Sequence, residues 1–153
     1  MKIAIAADHA GFELKEFIRF ELEKLGHAVV NLGTDSAEPP VDYPDCAGKV
    51  AEAVRAGEAE RGILVCGSGV GACIAANKYP GIRAGTCHDT FSAHQGVEDD
   101  DANVLCLGAR VVGSRLALEI VQAWVQARFS KAERHQRRVG KILAIERKYL
   151  RGG

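Results

Sequence analysis

Apolar side chains recur along this chain in two alternating rhythms. Short, nearly continuous apolar runs at Lys2 to Ala7, Ala28 to Leu32, Gly62 to Cys66, Ile82 to Cys87 and Val104 to Leu107 predict strands buried on both faces. Between them the apolar positions move to three- and four-residue offsets. Leu14, Phe17, Ile18, Leu22 and Leu25 share one helical face that Gly26 terminates, and Ala47 to Ala56 form a second helix closed by Gly57. Ala72 to Asn77 and the set Ala117, Ile120, Val121, Trp124 and Val125 predict two more helices. The tail from Lys131 to Leu150 is charged but keeps Val139, Ile142, Leu143 and Glu146 at helical offsets. Pro39, Pro40 and Pro44 mark a loop before the second helix, because proline disrupts a helix interior. Glu98-Asp99-Asp100-Asp101 reads as a solvated acidic loop.

Strands alternating with helices predict an α/β fold: a three-layer α/β/α sandwich around a Rossmann-like parallel sheet of about five strands. Neither an internal repeat nor a low-complexity linker interrupts residues 1–153, so one domain is expected. Twenty Lys and Arg balance twenty Asp and Glu, so the global basic field of a nucleic-acid binder is missing. No apolar run reaches the roughly 18 residues of a membrane span, and Met1-Lys2 leads straight into a strand-like stretch. The expected location is the cytoplasm, with no membrane partner. Five scattered cysteines, never spaced C-x-x-C, suit reduced thiols better than a disulfide framework or a zinc site.

Ligands of open parallel sheets bind outside the carboxyl ends of the strands. The polar clusters expected to meet there are Asp8-His9, Cys66 with the loop Gly67-Ser68-Gly69-Val70-Gly71, His88-Asp89, and Asp99 to Asn103. Three glycines at a strand-to-helix turn let backbone N–H groups converge on an anion. The spacing Gly67-x-Gly69-x-x-Ala72 also satisfies a dinucleotide fingerprint, but it follows the third strand rather than opening the fold. A Walker loop is excluded, since no Gly-Lys-Ser/Thr closes it. A tight packing turn is the bland alternative. Cys66, directly before the loop, favours chemistry: a helix N-terminus and its amides stabilise a thiolate. A thiolate beside a hole lined by N–H groups suits proton removal next to a carbonyl, with the amides of residues 67 to 71 holding the enediolate oxyanion.

The runs Asp8-His9-Ala10-Gly11, Ile63 to Gly71, Ile74 to Lys78 with Gly81-Ile82-Arg83, Asn103-Val104-Leu105, Gly108-Ala109-Arg110 and Arg134-His135-Gln136-Arg137-Arg138 occur in order across nearly the whole chain. In these the chain resembles ribose-5-phosphate isomerase type B, the RpiB/LacAB sugar-phosphate isomerases, which include allose- and galactose-6-phosphate isomerases. The resemblance implies metal- and cofactor-free interconversion of aldose and ketose phosphates through an enediolate, most simply ribose 5-phosphate to ribulose 5-phosphate. It also implies a homodimer or homotetramer whose active sites are shared, with the C-terminal helix packed on a partner subunit. By position, Cys66 matches the proton acceptor, with Ala72 where a branch lacking that cysteine carries Glu. Gly67, Ser68, Gly69, Val70 and Gly71 match the enediolate hole. His9, Arg134 and Arg138 match phosphate contacts, with Arg110 a further candidate. Asp8 is placed to orient His9 or sugar hydroxyls unless it only forms an Asx turn, and Asn103 to meet the sugar oxygens unless it only opens a strand.

One position departs from the resemblance. Asp99 stands where the family generally has the histidine assigned to furanose ring opening. Either another group, Asp8, His9 or His94, takes over that step, or the substrate is already acyclic, as tetrose and tetrulose phosphates are. A hexose phosphate substrate, or a non-catalytic phosphosugar-binding subunit, are the remaining alternatives.

Overall fold

In the computed structural model, which describes residues 1–150, the expected architecture is present. The elements run β1 Lys2–Ala7, α1 Phe12–Lys24, β2 Ala28–Asn31, α2 Tyr43–Arg55, β3 Arg61–Cys66, α3 Val70–Ala76, β4 Ala84–Thr86, α4 Thr90–Asp100, β5 Val104–Gly108, α5 Ser114–Gln126 and α6 Glu133–Tyr149. All strand pairs are parallel, in the order β2-β1-β3-β5-β4. Strand order reverses between β1 and β3, so a crevice opens outside their carboxyl ends, where Asp8 and Cys66 emerge.

Alternation within the strands feeds two cores. Ile3, Ile5, Ile63, Val65, Leu105 and Leu107 pack against Ile18 and Leu22 of α1, Val97 of α4 and Ile120 and Trp124 of α5. The opposite face presents smaller residues, Ala4, Ala6, Cys66 and Cys106, to Ala47, Val50 and Ala51 of α2 and Ala72 and Ala76 of α3. Small side chains on both sides let these helices lie close to the sheet. Close packing is visible at Gly62, where an added Cβ would collide with the Val50 side chain.

Two elements differ from expectation. Pro44 lies in the first turn of α2, where its missing N–H costs nothing, so the helix starts earlier than predicted. The acidic stretch is no loop: Glu98, Asp99 and Asp100 form the last turn of α4, whose first turn is capped by the Asp89 carboxylate accepting from Ser92 N–H at 2.6 Å. At the far end of α5, Arg61 donates to the carbonyls of Trp124 at 2.5 Å and Ala127 at 2.7 Å while lying over the Trp124 ring. That clamp fixes where the chain leaves α5 for α6. No helix among the described residues is long and apolar enough to cross a membrane.

Candidate active site

The β3–α3 turn is built around Gly69. Its φ of 80° belongs to the left-handed region, and a Cβ there would lie 2.9 Å from the Leu107 carbonyl carbon. This backbone folds the loop over Cys66, and the Gly69 N–H donates to Cys66 Sγ at 3.1 Å. The thiol is buried, at 4% exposure, yet it lines a cavity of about 300 Å³ with Asp8, Tyr43, Gly67, Ser68, Gly71, Arg110 and Val111. Ser68 Oγ accepts from Val70 N–H at 3.2 Å, which leaves its own hydrogen free for a ligand. Two loop amides are therefore engaged, one by sulfur and one by the serine. The Gly71 amide, in the first turn of α3, has no acceptor within its helix.

Neighbouring strands complete this edge of the sheet. Asp8 follows β1, and its Oδ1 accepts from Gly11 N–H at 3.1 Å, so it forms the turn as well as lining the cavity. His9 Nδ1 sits 3.3 Å from both the amide nitrogen and the carbonyl oxygen of Val41. Arg110 follows β5 and leans over Gly67, where a Cβ would meet its guanidinium at 3.3 Å. Gly108 is required for the same close approach, since a Cβ there would stand 2.7 Å from the Ser68 carbonyl. Tyr43 and Val111 were not singled out from sequence. Tyr43 closes the cavity beside Gly71, and a Tyr-Pro pair opening a helix after a long loop is its only local signal.

The expected meeting of four clusters fails for one of them. α4 returns across the sheet, so Asp99 to Asn103 lie at the amino edge, opposite Cys66. Five strand steps, roughly 17 Å, separate the ends of β3. Asn103 precedes β5, accepts from Arg83 N–H at 2.8 Å and donates to the Gly81 carbonyl at 2.8 Å. It ties two chain segments together and does not reach the sugar site of its own chain. Asp99 instead pairs with His135 of α6, Oδ1 to Nε2 at 3.3 Å. The other acids are separately partnered, Glu98 by His94 at 2.7 Å and Asp101 by Arg83 at 3.1 Å. Arg134 and Arg138 are exposed on α6 at this same amino edge. The His88 imidazole, expected near the ligand, accepts from Gly108 N–H at 2.9 Å and so braces the loop.

The profile of the Ribose/Galactose Isomerase family matches residues 3–142. The chain belongs to this family. It is 49% identical to ribose-5-phosphate isomerase B of Escherichia coli over 147 residues, covering 96% of this chain and 97% of that one. It is 47% identical to the D-erythrulose-4-phosphate isomerase of Pectobacterium atrosepticum over 130 residues, 84% of this chain and 85% of the relative. Among solved structures, ribose-5-phosphate isomerase B of Clostridium thermocellum superposes with a TM-score of 0.94 at 53% identity, covering 97% and 99% of the two chains. The protein is accordingly an aldose–ketose isomerase of phosphorylated sugars. In this member of the family the other thiols differ from Cys66 in setting. A hydrogen bond from the Cys106 thiol holds Cys73 down to about 6, while burial, reinforced by Asp89, pushes Cys87 up to about 11. Cys106 itself, giving its hydrogen to Cys73 in the core, is raised well above the ordinary thiol value.

Proposed function

We propose that the chain interconverts ribose 5-phosphate and ribulose 5-phosphate, with Cys66 as the proton carrier. In the open-chain aldose the Cys66 thiolate takes the C2 proton. The electron pair moves into an enediolate whose oxygens face Ser68 and the free amides of the glycine loop. Ser68 shuttles the hydroxyl proton between O1 and O2, and the thiol returns its proton to C1. Asp8 aligns the sugar hydroxyls, and His9 and Arg110 draw in the phosphate dianion. The observation that carries this reading is the Gly69 N–H on Cys66 Sγ at 3.1 Å inside a cavity that also holds Arg110. Sulfur and oxyanion donors occupy one crevice.

Asp99, Asn103, Arg134 and Arg138 lie at the opposite edge, so within one chain they act on nothing at Cys66. A homodimer, alone or within a tetramer, resolves this. With the amino edge of one copy over the carboxyl edge of the other, Arg134 and Arg138 clamp the phosphate and Asp99 meets the sugar. The two arginines are four apart on one helix and so share a face. A second reading, an acyclic tetrose phosphate substrate, is favoured by Asp99 and by the 47% identity to a D-erythrulose-4-phosphate isomerase. Assaying pentose, tetrose and hexose phosphates for ketose formation selects among these. Cys66→Ala should lower kcat on the preferred sugar by about 100-fold or more while leaving its KM within a factor of a few. Full activity of that variant would refute the Cys66 assignment, and binding without turnover of any sugar would show a non-catalytic subunit.

A further inference from the structure

We infer that Cys73 and Cys106 form a dithiol modification site, at which a hydroperoxide oxidises Cys73 and Cys106 closes a disulfide onto it. The sugar chemistry of the Cys66 crevice uses neither thiol. The close approach of α3 to β5 brings them together. At Gly69 the two backbones are so near that a Cβ would lie 2.9 Å from the Leu107 carbonyl carbon. Cys73 stands one helical turn beyond Gly69, its N–H on the Gly69 carbonyl at 3.2 Å, and Cys106 directly precedes Leu107. α3 starts at the carboxyl edge and runs back along the sheet, so that turn carries Cys73 over Cys106. The small residues Ala72 and Ala76 keep the helix close to the strands, and Cys73 packs into the same core face as Cys106.

The two thiols are unequal, as an attacking and a resolving sulfur must be. Cys73 is half-buried, whereas Cys106 is sealed in the core. As a thiol Cys73 gives its hydrogen to the Ala84 carbonyl at 3.5 Å; as a thiolate it accepts from the Cys106 thiol and from Asn77 Nδ2 at 3.6 Å. Those donors favour the anion, the form that attacks a peroxide. Asn77 and Ala84 both line the groove between β4 and α6, which gives an oxidant its approach to the sulfur. The remaining thiols are placed for neither role. Cys87 packs against the opposite core, and Cys46 is bonded to the Ala7 carbonyl. Cys66 shares the Cys106 face, but its sulfur is turned to the Gly69 N–H at 3.1 Å.

The hydroperoxide is the only added reactant. The Cys73 thiolate attacks its hydroxyl oxygen, forming an S–O bond as the O–O bond breaks, and the departing alkoxide or hydroxide takes a proton from water. Cys73 is then a sulfenic acid. The Cys106 sulfur attacks the Cys73 sulfur, forming the S–S bond as the S–O bond breaks, and the released hydroxide leaves with the Cys106 proton as water. Two thiols have given up two electrons, and the peroxide has become an alcohol or water. A dithiol reductant reverses the modification by exchange.

The test treats the native chain with a small excess of hydrogen peroxide at neutral pH, blocks the free thiols and maps the peptides without reduction. Trypsin leaves Cys66 with Cys73 in residues 62–78 and Cys87 with Cys106 in residues 84–110, so fragmentation of the joined pair assigns the sulfurs. The expected product joins Cys73 to Cys106, is two hydrogens lighter than its peptides together, and separates in dithiothreitol. The oxidised chain should still run as a monomer on a non-reducing denaturing gel. In Cys106→Ala the joined pair should vanish, and dimedone, which traps sulfenic acids, should tag Cys73 instead. A bond that uses Cys66 or Cys87, a bond between two chains, or a treated chain in which Cys73 and Cys106 both stay free would overturn the inference. So would Cys73 driven on to sulfinic acid in the native chain, since a resolving thiol in contact intercepts the sulfenic acid first. The native-chain result stands even where Cys106→Ala fails to fold.

Discussion

Four of the five thiols line one side of the sheet or its rim, and their surroundings assign them different work. Cys66 is beside a loop amide and open to a cavity, whereas Cys106 is sealed under α3 and Cys46 gives its hydrogen to the Ala7 carbonyl. Burial drives the Cys46 thiol upward. Cys73, half-buried on α3, is the exception, because the Cys106 thiol supports its anion at about 6. The sign follows directly: above that value Cys73 is a thiolate and nucleophilic, and below it a thiol and slow. In a Cys66→Ala chain, iodoacetamide at pH 7 should therefore label Cys73 well before Cys87, whose thiol ionises only near 11. Mass mapping of labelling rate against pH should give a midpoint near 6 for Cys73; a midpoint at the ordinary thiol value would remove the Cys106 hydrogen bond from the account. From the sequence, Cys66 was distinguishable because a glycine loop follows it. Cys73 was not, since its partner is a strand residue far along the chain.

Among the elements, the glycine turn was legible and α4 was not, and the contrast has a physical basis. Gly69 carries two constraints at once, a φ of 80° and a strand within 2.9 Å of where a Cβ would sit. Gly81 carries only the first, with φ of 84° and nothing within contact distance of a Cβ. Gly81→Ala should cost about 1 kcal/mol from backbone strain alone. Gly69→Ala should cost roughly 2–4 kcal/mol, because the collision is added to the strain and the neighbour is backbone. Urea unfolding of the two variants measures this difference, and equal losses would mean that the β5 backbone yields freely. α4 lacks such marks. Only Ala93 and Val97 are buried, Phe91 is 71% exposed, and Gly96 sits in its interior. Its acidic residues gather at the C-terminal end, where the helix dipole disfavours them. Tertiary contacts with α5 and the Asp89 cap hold a helix that propensity alone would not. The cap, an Asp three residues ahead of the Ser92 amide it bonds, was the one local clue.

Across the molecule, the candidate functional groups divide between two edges. Cys66, Asp8, His9 and Arg110 occupy the carboxyl edge, and Asp99, His135, Arg134 and Arg138 the amino edge. A site composed of both requires two copies, and that requirement yields a complementation test. Cys66→Ala and Arg138→Ala chains, each poorly active alone, should regain activity when unfolded together and refolded as a mixture. Random pairing makes about half of the dimers hybrid, each with one intact and one doubly altered site, so recovery should approach a quarter of native activity. A mixture no more active than the mean of its parents would place Arg138 and Cys66 in sites that do not share substrate. Between α6 and the β4 edge lies a larger groove of about 410 Å³, lined by Ile82, Ile142, Ile145 and Tyr149.

Local chemistry alone dictated the strand and helix alternation, the parallel sheet and the thiol before a glycine turn, because each rests on contacts within a few residues or on burial that a strand's own composition reveals. The edge of the sheet at which a side chain emerges belongs to another kind of fact. An unrecognised helix of eleven residues, roughly 16 Å long, carries Asp99 from the Cys66 edge to the opposite one. The pairing of Asp99 with His135 arises only once α5 and α6 fold back to the same place, and neighbours brought together by chain reversal leave no trace in local spacing.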